Sequence, residues 1–170
     1  MPISIACKQD IPVLVALINS GYRGEASKKG WTTETDLLKG ELRTDISTLS
    51  ALLDNQQAVM LMYTTEENAI AGSVYLEIQT RGLYLGMLTV SPQLQAAGIG
   101  RQLLIAAEEF AKEKKCPCIF MSVISVRHEL IAWYERNGYK NTGETKPFPD
   151  DIRFGIPTQS LEFIIMEKTM

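Results

Sequence analysis

Apolar positions along the chain recur at two different periods, and the change between them organises the sequence. A short apolar run at Ile3 to Ala6 predicts a strand. Leu14, Leu17 and Ile18 then share one side of a helix, with Asp10 placed to cap it and Pro12 tolerated in its first turn. Gly21 and Gly24 interrupt that pattern, and Tyr22 to Trp31 (YRGEASKKGW) reads as an exposed loop. Thr33 and Asp36 form a capping-box-like start ahead of Leu37 and Leu38. After Gly40, Asp45 caps a further helical piece carrying Ile46, Leu49, Leu52 and Leu53. From Ala58 the period becomes that of strands. Ala58 to Tyr63 and Ile70 to Gln79, joined by the polar TTEEN, predict an antiparallel hairpin. Arg81-Gly82 turns the chain into a third strand that ends at Val90. Ser91-Pro92 stops it, because proline supplies no ladder donor and restrains the residue before it.

Helical spacing returns at Ile99, Leu103, Ala107 and Phe110, with Arg101, Glu108, Glu109 and Lys112 on other positions. Cys118 to Ile124 is dense enough in apolar residues to be a buried strand. His128 to Asn137 is a short helix closed by Gly138, and Tyr139 to Thr145 and Leu161 to Lys168 are the last two strands. Between those strands, PFPDDIRFGIP is a proline-rich excursion pinned by Phe148 and Phe154. A helix between two central strands gives them a parallel crossover, so the order predicts an α+β fold with a mixed, mostly antiparallel sheet and flanking helices. A chain of 170 residues suits one domain, 1–170, with a core of its own.

The candidate chemistry lies between the third strand and the helix after it. In QAAGIG, Gln95 to Gly100, small residues remove the side chains that would keep a ligand from the backbone. A helix beginning there aims unpaired N–H groups and the positive end of its dipole at one spot, which suits a phosphate or pyrophosphate. No lysine followed by Ser or Thr comes after the glycines, so this is not a Walker loop. The dinucleotide fingerprint needs a small residue where Leu103 stands.

Strand, proline stop, Gln95, Gly98, Gly100 and amphipathic helix together resemble the cofactor motif of the GNAT family of N-acetyltransferases. HELIAWYERNGY resembles that family's second landmark, a tyrosine separated by three residues from a Gly and an aromatic: Tyr134, Gly138 and Tyr139. The resemblance covers most of the chain and is strongest from about Ala58 to Gly143. It implies a GNAT-like domain that uses acetyl-CoA, held at Leu88, Thr89, Val90, Gln95, Ala96, Ala97, Gly98, Ile99, Gly100, Arg101 and Tyr134. It also implies that Tyr134 gives a proton to the departing thiolate, and that a backbone N–H on the strand containing Leu88 stabilises the tetrahedral intermediate. Two positions depart from the pattern: Arg127 stands where family members often have Asn, and Tyr84 where some carry a glutamate base.

The base is therefore not carried over. Glu77, on the polar face with Ser73 and Tyr75, is a candidate to deprotonate the amine directly or through water, or else an ordinary solvent-facing glutamate. In the family the segment between the first two helices walls the substrate cleft. That makes Trp31 an aromatic wall and Glu34 an attraction for a cationic amine, with Glu25 a further candidate. Each residue also has a plain structural alternative: core cover for Trp31, helix N-terminal charge for Glu34. Arg127 could grip a carboxylate or the cofactor's phosphates, or pair with an acid on the surface.

Composition narrows the partners. A net charge of −3 argues against a large nucleic-acid footprint and not against an amine. Three cysteines make no disulfide framework. Cys116 and Cys118 are too close for a metal knuckle, and His128 is the lone histidine, so neither a metal nor a nucleophile relay is expected. No signal peptide or membrane span is apparent, which makes a cytoplasmic protein the default and leaves a homodimer open. The reading is direct acetyl transfer from acetyl-CoA to a primary amine of a small molecule, amino acid or peptide. The alternative is a non-catalytic acyl-CoA-binding sensor or regulatory module of the same fold.

Overall fold

The computed structural model describes residues 2–23, 33–34, 37–39, 43–149 and 155–170. Its elements are β1 (Ile3–Ile5), α1 (Ile11–Tyr22), β2 (Leu38–Lys39), α2 (Ile46–Leu53), β3 (Ala58–Thr64), β4 (Ile70–Ile78), β5 (Leu83–Val90), α3 (Ile99–Glu113), β6 (Cys118–Ile124), α4 (His128–Arg136), β7 (Lys140–Pro147), β8 (Ile156–Pro157) and β9 (Glu162–Thr169). Seven strands form one sheet in the order β1-β3-β4-β5-β6-β9-β7, and β2 pairs with β8 apart from it. Among the described residues only β5 and β6 run parallel, as the α3 crossover requires, and the other pairs are antiparallel. The fold is α+β with a mixed, mostly antiparallel sheet, as the order of elements predicts.

Alternation along the strands sends neighbouring residues to two cores. Leu61 and Leu76 join the cluster under α3, whereas Met60 and Tyr75 join Leu14, Ile18 and Leu49 from α1 and α2. α3 buries Ile99, Leu103, Leu104, Ala107 and Ala111. It presses so closely on β4 that a Cβ at Gly72 would lie 2.8 Å from the Ile99 side chain and 3.1 Å from Leu103. Leu103 is completely buried, and truncating it to Ala would cost about 2–5 kcal/mol.

The caps divide. Asp45 accepts from the Thr48 amide at 2.7 Å and caps α2 as expected. Asp10 stands before α1, but its carboxylate turns back to the Cys7 amide at 2.8 Å and closes the single 3₁₀ turn there. The helix expected to begin near Leu37 and Leu38 is a correction. Leu38–Lys39 is a strand paired with Ile156–Pro157, and the Thr158 amide donates to the Leu37 carbonyl at 2.8 Å. A partner far along the chain outcompetes the local capping signal there. Phe148 packs against Phe163 with ring centroids 5.2 Å apart, whereas Glu25, Trp31, Asp36 and Phe154 lie outside the described residues. Among the described residues no helix is long and apolar enough to cross a membrane.

The feature that positions the site is where the parallel pair stops pairing. β5 and β6 are in register at Leu83↔Ile119 and Tyr84↔Phe120, yet β5 continues to Val90 and β6 to Ile124. Beyond Tyr84 and Phe120 the two strands part, and a cleft opens in the middle of the sheet.

Candidate active site

A β-bulge sets the wall of that cleft. Between β4 and β5, Ser73 pairs with Thr89 and Tyr75 with Gly86, so Met87 and Leu88 together face Val74. Met87 has φ of 50°, a left-handed conformation that costs a side-chain-bearing residue about 1–2 kcal/mol. Two contacts hold the bulge. The Thr89 hydroxyl donates to the Met87 carbonyl at 2.9 Å, and the Tyr22 hydroxyl donates to the Leu88 carbonyl.

The cleft has a volume of about 520 Å³ and runs between Leu85–Leu88 on one side and Met121–Ile124 on the other. Tyr134, from α4, lines it together with Tyr22, Tyr84 and Arg127. The Tyr134 ring is buried, set edge-on to Trp133 at 5.1 Å and to Tyr139 at 5.8 Å. Burial pushes its hydroxyl well above the usual tyrosine value, with Tyr22 adding to the shift and Arg127 opposing it. The hydroxyl therefore keeps its proton at neutral pH.

One end of the cleft is charged. The two oxygens of Glu34 are taken by two arginines: Arg23 on Oε1, and Arg127 on Oε2 at 3.2 Å. All three side chains are at most 8 % exposed. The Glu34 amide donates to the Tyr22 carbonyl at 3.0 Å, which fixes this cluster to the end of α1. Burial lowers the Arg23 guanidinium from its usual value while Glu34 raises it and Arg43 lowers it further. The structure thus brings Glu34 and Arg127 together, and the acid that Arg127 meets is a buried one rather than the surface partner expected.

The loop opens into a second cavity, of about 430 Å³, lined by Val90, Gly98, Gly100, Arg101, Trp133 and Arg136 among others. Pro92–Ala97 forms a 3₁₀ turn, and Gly98 follows at φ of 78°, which only glycine adopts without strain. α3 starts at Ile99, and its first turn closes with the Gln102 amide on the Gly98 carbonyl at 3.1 Å. The amides before Gln102 have no partner within the helix, as at every helix start, and the cavity lining adds the charges of Arg101 and Arg136 against that of Glu129. Nothing stands within 4 Å of where a Gly98 Cβ would be, and a Gly100 Cβ would meet the Trp133 ring at 3.4 Å. Ala97 is exposed; the side chains of Gln95 and Ala96 lie outside the described residues. Helix start, basic side chains and open space fit a phosphate-bearing ligand.

Glu77 is placed elsewhere. Its carboxylate accepts from the Tyr75 hydroxyl at 2.7 Å, from Asn55 at 3.2 Å and from Gln79, and it does not line the cleft, although Gln79 does. Sequence reasoning missed Arg23, Arg43, Trp133 and Arg136 as cavity-lining residues. Arg23 fell inside the segment read as an exposed loop, and nothing along the chain singles out Arg43. Trp133 and Arg136 carried one usable signal, their place beside Tyr134 on the same short helix.

A family model described as an acetyltransferase (GNAT) domain matches residues 38–154. No curated protein sequence matches at a significant level. Among solved structures, the ribosomal-protein-S18-alanine N-acetyltransferase of Escherichia coli superposes with a TM-score of 0.72 at 16 % identity, over 98 % of this chain and 92 % of that one. The ribosomal-protein-alanine N-acetyltransferase of Brucella melitensis gives 0.72 at 19 % identity over 100 % of both chains. The paia N-acetyltransferase of Thermoplasma acidophilum, solved in complex with coenzyme A, gives 0.67 at 18 % identity, again over 100 % of both. At these identities the structures speak for the fold, and the family match, which spans more than half of the chain, decides the rest: the chain belongs to the GNAT acetyltransferase family.

Proposed function

We propose that this protein transfers an acetyl group from acetyl-CoA directly to a primary amine. The observation that carries the reading is the alignment of three features: the parted strands, the helix start that opens beside Val90 at the end of β5, and a buried, protonated tyrosine facing the gap. The amides of Gly98, Ile99, Gly100 and Arg101, with the side chains of Arg101 and Arg136, would hold the cofactor's phosphates. The edge of β5 from Leu88 to Val90 would hold the arm that reaches the cleft. When bound, acetyl-CoA supplies an activated thioester.

The acceptor nitrogen attacks the thioester carbonyl, the C–S bond breaks, and Tyr134 gives its proton to the sulfur leaving as thiolate. The ammonium must first lose a proton. Gln79 lines the cleft and bonds to Glu77, so a water relay along that edge is the route by which Glu77 would take it. Bulging of β5 at Met87 and Leu88 frees backbone from the ladder, and a Leu88 N–H would stabilise the oxyanion. Relatives of this fold acetylate alanine of ribosomal proteins, and one is seen with coenzyme A, which supports both the amine and the cofactor.

A screen of amines with acetyl-CoA as donor, reading free CoA, tests the proposal. Acceptor-dependent CoA release is expected. Tight acetyl-CoA binding with no release for any amine would replace the enzyme with the sensing module.

A further inference from the structure

Arg43 stands at the charged end of the cleft and lines both it and an adjoining cavity of about 160 Å³. Its backbone is fastened to α1: the amides of Arg43 and Thr44 both donate to Asn19 Oδ1, and Asn19 Nδ2 donates to the Thr44 carbonyl at 3.1 Å. Its guanidinium lies over the Tyr22 ring, 5.7 Å from the centroid. The nearby carboxylate is already engaged, since Glu34 gives one oxygen to Arg23 and the other to Arg127. Among the described residues no carboxylate pairs with Arg43. Among the described residues lining this end of the cleft, Arg23, Arg43 and Arg127 accompany a single carboxylate, Glu34.

The smaller cavity is also lined by Phe148 and Phe163, which pack together at 5.2 Å. A planar cationic fork and an apolar pair thus line one cavity. Phosphates of the cofactor are served elsewhere, because the cavity at Gly98 and Gly100 shares no lining residue with the two that Arg43 lines.

We propose that the acceptor is an amine that also carries a carboxylate and an apolar body, such as an apolar α-amino acid. Arg43 binds the carboxylate, and Phe148 and Phe163 receive the apolar part. This rests on the transferase reading above. A guanidinium suits the role because it binds carboxylate through two parallel hydrogen bonds and stays charged at any working pH. An acceptor with only positive charge would meet the arginines unfavourably.

Phenylalanine and phenylalaninamide test this pair of features, since the amide keeps the amine and ring and lacks the charge. The wild-type protein should prefer the acid in kcat/KM. Arg43→Ala should raise KM for phenylalanine roughly 10–100-fold, with kcat changed less, and so erode that preference. Arg43→Lys should restore part of it, with less than the full effect because an ammonium lacks the fork. Preference for the amide, an unchanged KM in Arg43→Ala, or turnover of neither compound would overturn the proposal. Calorimetry with acetyl-CoA keeps the two readings apart. Cofactor binding with failure of the acid preference refutes only the acceptor class, and absence of cofactor binding by the wild-type protein refutes the transferase reading itself.

Discussion

The Tyr22 hydroxyl, at the end of α1, donates a hydrogen bond to the Leu88 carbonyl, inside the bulge of β5. That bond ties the first helix to the point where the central strand leaves its ladder. Both residues are buried, so the carbonyl depends on this donor. Tyr22→Phe keeps the ring and its contact with Arg43 but strands the carbonyl. It should cost on the order of 1–3 kcal/mol, seen as a lower urea midpoint at unchanged m-value in the apo protein. An unchanged midpoint would show that the bulge does not need the tyrosine.

Gly100→Asp separates folding from cofactor binding. A Cβ there meets the edge of the Trp133 ring at 3.4 Å, a contact that a small shift relieves. The added carboxylate favours the start of α3 electrostatically and repels a phosphate bound at that helix start. Acetyl-CoA affinity should fall about tenfold or more in a variant whose melting temperature holds. Full affinity in that folded variant would contradict the loop assignment. Gly98→Ala acts the other way, since its side chain enters open space but φ is 78°. It should lose about 1–2 kcal/mol of stability through backbone strain.

Elements with strong local signals were legible in the sequence. The hairpin of β3 and β4, the amphipathic α3 and the cap at Asp45 all follow from periodicity and side-chain chemistry within a few residues. Leu38–Lys39 was not, because its strand exists only through pairing with Ile156–Pro157. The same limit governed the site. Tyr134, Gly98 and Gly100 stood in patterns that could be read along the chain. The Arg23–Glu34–Arg127 cluster joins side chains from separate segments, and no spacing announces it. Nor does the sequence announce the hydrogen bonds from Tyr75, Asn55 and Gln79 to Glu77, because those side chains converge on it only once β4 is built.

Alkaline pH should destabilise the protein from about pH 10 upward. Burial holds the hydroxyls of Tyr22, Tyr75, Tyr84, Tyr134 and Tyr139 above the usual tyrosine value. Below pH 10 these groups are protonated in both states, and their contribution is complete. Above it the unfolded chain releases protons that the folded one retains, so stability falls as pH rises. Melting temperatures across pH 8–11 check this. A flat profile through pH 11 would mean that these phenols are not buried as described.

The central claim is that Tyr134 is the proton donor of an acetyl-transfer site, and Tyr134→Phe tests it most directly. The substitution keeps the packing against Trp133 and Tyr139 and removes only the hydroxyl. Steady-state turnover of an identified amine should fall by roughly 10²–10⁴-fold, while acetyl-CoA affinity stays within a few-fold and the melting temperature barely moves. Normal turnover with a lowered melting temperature would contradict the claim and make Tyr134 a structural residue.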